Sequence, residues 1–270
     1  MKNKVVLITG ASSGIGKALA FEFARHGASV VLMARTAEQL QAIEVELKTI
    51  HPNVITHVGD VSVETDCRAM VDTAIRQFGR IDVLINNAGL SMRAMFDDVE
   101  LDVIRKLMDV NFWGTVYCTK YALPHLLQHQ GSVVGISSIA GKKGLPARTG
   151  YSASKFAMEG FLETLRTENL NRGLHVLVAC PGFTASNIRA SALNEVGAKQ
   201  GQSPRNEGKM MSAEEVARRI FLGVIHRKRD LIMSTDGKLA VWLNRFFPSW
   251  SDRLVFNHMA KEVDSPLKKT

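Results

Sequence analysis

The stretch KVVLITGASSGIG, residues 4–16, decides the fold that we predict for this chain. Its first half is apolar and β-branched, which is typical of a strand buried on both faces of a sheet. Its second half, TGASSGIG, combines glycines with small hydroxyl residues directly after that strand. Such glycines let the backbone approach a pyrophosphate, and the N-terminus of the next helix attracts the anion. The segment therefore predicts a strand, a nucleotide-binding turn and a helix.

The glycine motif has a spacing of its own. Gly10, Gly14 and Gly16 form G-x-x-x-G-x-G, which differs from the G-x-G-x-x-G of the general dinucleotide fingerprint. Taken alone the motif is weak evidence, because an ordinary strand-to-helix turn can carry the same glycines. The second apolar run ends at Arg35 without an acidic residue at its tip. A cation there accommodates a 2′-phosphate, so Arg35 favours NADP(H) over NAD(H); the alternative is a pairing with Glu38.

Apolar runs of the same kind recur along the chain, and segments with helical spacing separate them. The further runs are ASVVLMA (28–34), NVITHV (53–58), IDVLIN (81–86), GSVVGIS (131–137), LHVLVAC (174–180) and DLIM (230–233). Helical stripes are formed by Ile15, Leu19 and Phe23, and by Leu40, Ile43 and Leu47. This alternation predicts an α/β fold with a doubly wound, Rossmann-like parallel sheet of about seven strands and helices on both faces.

No linker or internal repeat divides the sequence, so we predict a single domain over residues 1–270. The polar, irregular stretch 186–211 is predicted to be a substrate loop, and it ends at a capping box of Ser212 and Glu215. The segment 235–270 is an aromatic extension whose first apolar stripe ends at Pro248. That stripe is too short to span a bilayer. It either covers the substrate mouth or rests on a membrane surface, or it packs on the protein itself or on another subunit.

Composition narrows the class of protein. The net charge of +8 is not concentrated in a long basic run, so we expect no nucleic-acid partner. Cys67, Cys118 and Cys180 are far apart without metal-ligand spacing, which predicts buried, reduced thiols and no metal site. The first ten residues have too few apolar positions for a secretion signal or a membrane span. We therefore expect a cytoplasmic protein, with peripheral membrane contact through the aromatic extension as an alternative.

The stretch ISSIAGKKGLPARTGYSASK, residues 136–155, places a serine pair ahead of a tyrosine and a lysine. If the segment after Gly150 is helical, Tyr151 and Lys155 share one face. A lysine beside a phenol stabilises the phenolate and lowers its pKa from about 10, which suits a general acid and base. The alternatives are an ordinary exposed helix pair and a polar strand end.

Read together, these motifs resemble the single-domain short-chain dehydrogenase/reductase family, in its NADP-preferring type. The resemblance covers residues 4–234 and rests on motifs in a fixed order. They are TGASSGIG, Asp60 after the third strand, NNAG (86–89), Asn111, Ser138, YSASK and PGFTAS (181–186). One such motif is weak, but seven in register are specific.

The resemblance implies the cofactor site. Gly10, Gly14 and Gly16, with Ile15 between them, would line the pyrophosphate, while Ser12 and Ser13 would offer donors to it or to a 2′-phosphate that Arg35 also binds. Asp60 and Val61 would flank the adenine, and Asn87, Ala88 and Gly89 would lie under the ribose. Pro181, Gly182, Thr184 and Ser186 would hold the nicotinamide end, where Tyr151 and Lys155 also contact the cofactor.

The resemblance also implies the chemistry. Tyr151 would be the general acid and base, Ser138 would polarise the carbonyl, and Lys155 would lower the pKa of Tyr151 and bind the ribose. Asn111 would relay protons to Lys155 through water; its alternative is to cap or kink a helix. The implied function is an NADP(H)-dependent oxidoreductase acting on a carbonyl or secondary alcohol, assembled as a homodimer or homotetramer.

The substrate and the rival functions are less well defined by the sequence. Phe183, Met210, Met211 and the C-terminal aromatics are predicted to wall an apolar cleft for a lipophilic substrate. Lys142 and Lys143 either attract an acidic substrate or are simply solvated. The rival functions are a non-catalytic nucleotide sensor, an NAD-linked alcohol dehydrogenase of the same family, and an epimerase or dehydratase.

Overall fold

The computed structural model describes residues 1–184, 188–202 and 210–268. Seven strands alternate with helices: β1 (Val5–Thr9), β2 (Ser29–Ala34), β3 (Val54–Val58), β4 (Val83–Asn86), β5 (Ser132–Ile136), β6 (His175–Cys180) and β7 (Asp230–Ile232). All strand pairs are parallel, and their order is β3-β2-β1-β4-β5-β6-β7. The doubly wound sheet predicted from the sequence is confirmed. The order reverses between β1 and β4, and ligands bind at such a switch point.

Helices cover both faces of this sheet. They are α1 (Gly14–Arg25), α2 (Ala37–Lys48), α3 (Glu64–Phe78), α4 (Leu101–Met108), α5 (Gly114–Gln128), α6 (Thr149–Glu168), α7 (Ala213–Ile225), α8 (Thr235–Phe246) and α9 (Pro248–Ala260). One core lies under α1, α2 and α7, and it contains Leu19, Phe23, Leu40, Ile43 and Leu47. A second core lies under α3, α5 and α6.

The edge strands differ from the prediction that every strand is buried on both faces. In β3 only Val54 is buried and Val58 is exposed, while Asp230 of β7 is exposed. Each of these strands has a neighbour on one side only, so less protein covers it. The complete burial predicted from continuous apolarity holds for the strands between them.

The aromatic extension forms two helices instead of one. Helix α8 ends at Phe246, next to the predicted stop at Pro248, but Pro248 also begins α9. Proline is favoured at the first position of a helix because the missing N–H has no intrahelical acceptor there. Among the residues with described positions, no helix is long and apolar enough to cross a bilayer. The three cysteines are buried free thiols, as predicted.

Candidate active site

A cleft of about 460 Å³ opens at the carboxyl ends of the strands. The described residues that line it include most of the predicted site: Gly10, Ser12, Ser13, Gly14, Ile15, Arg35, Asp60, Val61, Asn87, Ala88, Gly89, Ser138, Tyr151, Lys155, Pro181, Gly182 and Thr184. Ser186, predicted at the nicotinamide end, lies outside the described residues. Gly16 and Asn111 are not among the described residues that line the cleft.

The glycine-rich turn is shaped by close backbone contacts. Gly10 and Gly14 have φ angles of +64° and +53°, a backbone conformation that residues other than glycine rarely adopt. A Cβ on Gly16 would lie 2.2 Å from the carbonyl oxygen of Gly10. Gly16 therefore lets the first turn of α1 pack against the loop, and its role is to hold the turn that lines the cleft.

The first strand and the NNAG motif are joined by Thr9, a residue that the sequence analysis did not single out. Its buried Oγ1 accepts hydrogen bonds from the backbone N–H groups of Asn87 and Ala88, both at 3.0 Å. The side-chain amide of Asn87 donates to the carbonyl oxygens of Thr9 and Gly10, at 2.9 and 3.1 Å. These bonds fix the two loops that would surround a bound dinucleotide.

At the tip of β2, Arg35 lies beside Asp60. Its Nη1 is 3.8 Å from Asp60 Oδ2, and 58% of its side chain is exposed. The pairing with Glu38 considered from the sequence is not the one observed. Asp60 Oδ1 also accepts hydrogen bonds from the N–H and hydroxyl of Ser62. The guanidinium thus stands at the mouth of the cleft, partly compensated by a carboxylate.

Asn111 lies in a π-helical turn, Asp109–Trp113, between α4 and α5. Such turns are rare and occur frequently at functional sites. Asn111 is fully buried, and its amide donates to the carbonyl of Leu90 at 2.9 Å and to Ser154 Oγ at 2.8 Å. A Cβ on Gly89 would lie 3.2 Å from Asn111 Oδ1 and 3.4 Å from Lys155 Nζ. The two side chains therefore lie close to Gly89, which lines the cleft.

Tyr151 and Lys155 lie on one face of α6, as predicted, but their electrostatics differ from the prediction. Burial raises the pKa of the Tyr151 phenol, against opposing effects of a hydrogen bond from Ser138 and the charge of Arg148. Burial lowers the pKa of Lys155 to about 8. Lys155 Nζ donates to the carbonyl oxygen of Ile136 at 2.9 Å. The pKa of Tyr151 is thus raised and not lowered as predicted, because desolvation outweighs the effects of Ser138 and Arg148.

The two adjacent serines, Ser137 and Ser138, make different contacts. Ser138 lines the cleft and, as N-cap of a 3₁₀ turn, accepts a hydrogen bond from the N–H of Ala140. Ser137 donates its hydroxyl hydrogen to the carboxylate of Glu159 at 2.5 Å. Glu159 was not recognised from the sequence, although it follows Lys155 by four residues on the same helix.

These positions together match a known family. The sequence model of the family described as short chain dehydrogenase covers residues 4–197. The chain belongs to the short-chain dehydrogenase family. It is therefore an oxidoreductase, and the fold and motifs described above are those of that family.

Two curated relatives are similar in sequence to this short-chain dehydrogenase. Dehydrogenase/reductase SDR family member 7B of Mus musculus is 36% identical over 98% of this chain and 84% of its own length. The 11-beta-hydroxysteroid dehydrogenase 1A of Arabidopsis thaliana is 45% identical, over 68% of this chain and 53% of its own length.

Two solved structures share the fold. An alcohol dehydrogenase from the archaeon Thermococcus sibiricus, complexed with 5-hydroxy-NADP, has a TM-score of 0.76 and 25% identity, covering 85% of this chain and 95% of that one. A short-chain dehydrogenase/reductase from Burkholderia phymatum, in complex with NAD, has a TM-score of 0.83 and 24% identity, covering 92% and 95%. The first of these proteins was solved with a nucleotide that carries a 2′-phosphate and the second with one that does not.

The two lysines after the serines, Lys142 and Lys143, both pair with carboxylates of neighbouring elements. Lys142 Nζ lies 2.6 Å from Glu159 Oε2 and 3.6 Å from Asp230 Oδ1. Lys143 is buried and pairs with Asp252 of α9. Both lysines therefore connect the loop after Ser138 to neighbouring elements. Lys143 is therefore not simply solvated, and neither lysine is among the described residues that line the cleft.

A further part of the cleft comes from the C-terminal segment. The carboxylate of Glu262 lines it and lies 3.0 Å from Arg148 Nη2 and 3.4 Å from Arg93 Nε. The three side chains are 3%, 12% and 9% exposed, so this is a buried ion-pair cluster. Arg148 precedes Tyr151 by three residues, which places the cluster next to the predicted acid.

The predicted apolar wall is only partly observed. Phe183 lines the cleft together with Leu90, Leu145 and Ile188. Met211 instead packs against the core under α1 and α7. Met210 and the aromatics of α8 and α9 are not among the described lining residues. Trp242, Phe246, Phe247 and Trp250 are exposed, because the two helices pack on each other and leave these rings outside.

Proposed function

We propose that this short-chain dehydrogenase interconverts a carbonyl and a secondary alcohol with NADP(H) as its cofactor. One observation carries the proposal: a buried phenol, a serine hydroxyl and a buried ammonium share the cleft with the glycine-rich turn. Serine and glycine backbone of the turn would hold the pyrophosphate, aided by the N-terminus of α1. When bound, the nicotinamide supplies or accepts a hydride.

Tyr151 is the proposed general acid in the reductive direction. Burial raises the pKa of its phenol, which favours the protonated form that a general acid requires. It transfers that proton to the carbonyl oxygen, to which Ser138 donates a hydrogen bond as negative charge develops. Lys155 binds the ribose hydroxyls, and Asn111 relays a proton to it through water. The position of both side chains beside Gly89 supports this relay.

The preference for NADP(H) rests on Arg35. Its exposed guanidinium at the tip of β2 is suited to a 2′-phosphate. The neighbouring Asp60 carboxylate, at 3.8 Å, is the observation that favours the alternative, an NAD-linked enzyme of the same family. A non-catalytic sensor is disfavoured, because such a protein needs no buried proton donor.

We propose a lipophilic ketone or alcohol as the substrate. The apolar side chains of Leu90, Leu145, Phe183 and Ile188 in the cleft support this class. Relatives named 11-beta-hydroxysteroid dehydrogenase support it as well, since a steroid is a rigid, apolar alcohol or ketone.

The decisive experiment follows NADPH oxidation with methyl ketones of increasing chain length and with an 11-ketosteroid. We expect turnover that improves with chain length. We expect Tyr151→Phe to lose turnover by about 10²–10⁴-fold, the range for a general acid, while NADPH affinity measured by fluorescence is kept. Tyr117→Phe, on α5 outside the cleft, is the matched control. Full activity in Tyr151→Phe would refute the proposal, and NADPH binding without turnover of any substrate would favour the sensor.

A second proposal concerns the surface of α8 and α9, which we assign to contact with an anionic membrane surface. Trp242, Phe247 and Trp250 are 53%, 54% and 63% exposed. Lys238, Arg245 and Arg253 lie on the two helices together with Asp236 and Asp252, and Asp252 is already paired with Lys143. That pairing leaves an excess of basic side chains on the helices that carry the exposed rings, as is typical of helices that rest on acidic lipids. This combination is the reason to prefer lipid over a second, equally basic copy of this chain.

Sedimentation with vesicles of phosphatidylcholine, with and without phosphatidylserine, tests this assignment. We expect binding only to the acidic vesicles and its loss in the double variant Trp242→Ser/Trp250→Ser. If the parent binds neither kind of vesicle and is an oligomer, while the double variant is a monomer, the surface is a subunit interface and the membrane proposal is wrong.

A further inference from the structure

One face of α6 carries Tyr151, Lys155 and Glu159 at successive intervals of four residues. The first two belong to the proposed chemistry, whereas Glu159 is not among the described residues that line the cleft. We infer that Glu159 is a positioning residue, which holds both ends of the loop 137–142 and thereby fixes the hydroxyl of Ser138. This inference rests on the role of Ser138 under the proposed function.

Each carboxylate oxygen of Glu159 holds one end of the loop. Ser137 Oγ donates to Oε1 at 2.5 Å, and Lys142 Nζ lies 2.6 Å from Oε2. Ser138 and the 3₁₀ turn Ile139–Gly141 lie between these two anchors. A carboxylate that binds residues on both sides of a short loop restricts the whole loop, including the cleft-facing hydroxyl.

The loop is also packed closely around the carboxylate. A Cβ on Gly141 would lie 2.4 Å from Glu159 Oε1 and 2.6 Å from Ser137 Oγ. Cys180 Sγ, at the end of β6, donates to the same oxygen at 3.6 Å. Although burial lowers the pKa of Lys142, its hydrogen bond and attraction to Glu159 raise that pKa overall. The cation is thus kept charged where it anchors the loop.

A buried carboxylate is destabilising unless it is fully hydrogen-bonded, so its presence calls for a reason beyond packing. Glu159 is 8% exposed, and its partner Ser137 lines the cleft next to Ser138. The anchoring of Ser138 supplies that reason. The rival explanation is that Glu159 stabilises the fold in general, and the experiment has to separate the two.

A double-mutant cycle between Glu159→Ala and Ser138→Ala separates them. We expect Glu159→Ala to lower kcat by about 10–100-fold, the effect of misplacing a catalytic group by about 1 Å, with the KM for NADPH unchanged. In the Ser138→Ala background the same change should cost less than about threefold, because the group that it positions is gone. Glu159→Gln, which keeps an acceptor for Ser137, should retain more activity than Glu159→Ala.

Glu163→Gln is the matched control. It lies one turn further along α6 and pairs with Arg229 at the surface, at 2.9 Å with both side chains more than 60% exposed. We expect its kinetics to equal those of the parent. If Glu159→Ala lowers kcat equally in the presence and absence of Ser138, the positioning role is wrong while the proposed function stands.

Amide hydrogen exchange provides a readout that does not need turnover. We expect Glu159→Ala to accelerate exchange in peptides covering 137–142 while peptides from β1 and α1 keep the rates of the parent. Unchanged exchange in the loop, or acceleration throughout the protein, would overturn the inference. A parent without any carbonyl turnover would refute the proposed function instead.

Discussion

The ammonium nitrogen of Lys155 lies 6.0 Å from the centre of the Tyr151 ring and donates to the backbone of Ile136. Burial acts on both groups in the direction that disfavours charge. It raises the pKa of Tyr151 and lowers that of Lys155 to about 8. Desolvation is therefore the largest cause of the pKa shifts of both groups, and it favours the protonated phenol, which is the proton donor.

The first prediction concerns the pH dependence of stability. The pKa of Lys155 is about 8 in the folded protein and 10.5 as its reference value, so between these values the unfolded chain binds a proton that the folded chain has lost. The free energy of unfolding therefore rises with pH in this window. From pH 7 to pH 9.5 we expect the parent to gain about 2 kcal/mol relative to Lys155→Met, measured by urea denaturation.

The comparison with Lys155→Met cancels the other titrating groups that the two proteins share. The measurement stops below pH 10, because the raised pKa of Tyr151 makes the unfolded chain lose that proton first and lowers stability at higher pH. A difference between parent and variant that stays constant from pH 7 to pH 9.5 would contradict the lowered pKa of Lys155.

The second prediction concerns Arg35. In the parent we expect NADPH to bind more tightly than NADH in a fluorescence titration. Arg35→Ala should weaken NADPH binding by about 10–100-fold, the value of a charge-assisted hydrogen bond, and leave NADH nearly unchanged. Arg76→Ala, which removes an exposed arginine from α3, is the control. Equal affinities of the parent for the two nucleotides would show that Asp60 neutralises Arg35 and would favour the NAD-linked alternative.

The third prediction compares two helical glycines. Gly16→Ala would bring a Cβ to 2.2 Å from the Gly10 carbonyl oxygen, so the glycine-rich turn has to move. We expect a loss of stability and of NADPH binding. A Cβ on Gly160 of α6 meets no atom within 4 Å, and Gly160→Ala should stabilise the protein by about 0.5–1 kcal/mol. Thermal melting with and without NADPH measures both; unchanged NADPH binding in Gly16→Ala would contradict the assigned turn.

The fourth prediction concerns the ion-pair cluster of the C-terminal segment. Removing the carboxylate in Glu262→Ala leaves the buried Arg93 and Arg148 without it, which should cost about 3–5 kcal/mol of unfolding free energy. Urea denaturation measures this loss. Lys261→Ala, at the exposed preceding position, should be neutral. A neutral effect of Glu262→Ala would mean that the segment is not held against the cleft by this cluster.

Much of the fold could be predicted from short segments. The apolar runs from 28–34 to 230–233 each contain a strand, and the four-residue spacing of Tyr151 and Lys155 does place them on one helix face. Burial of the edge strands was overestimated, because apolarity within β3 or β7 does not reveal whether a neighbouring strand exists on both sides. Helix α9 was missed because Pro248 was interpreted only as a stop.

The sequence by itself determined the order of strands and helices, because backbone preferences and hydrophobic periodicity act over a few neighbouring residues. The residues that line the cleft were predicted from the resemblance of its motifs to a known family. Only the tertiary structure decided the partners of the charged side chains. Lys143 pairs with Asp252 and Arg148 with Glu262, across more than 100 residues of chain. Electrostatic energies and desolvation depend on distance in space and on burial, and neither can be read from local sequence. For that reason the structure alone gave the direction of the Tyr151 pKa shift and the anchoring of the loop by Glu159.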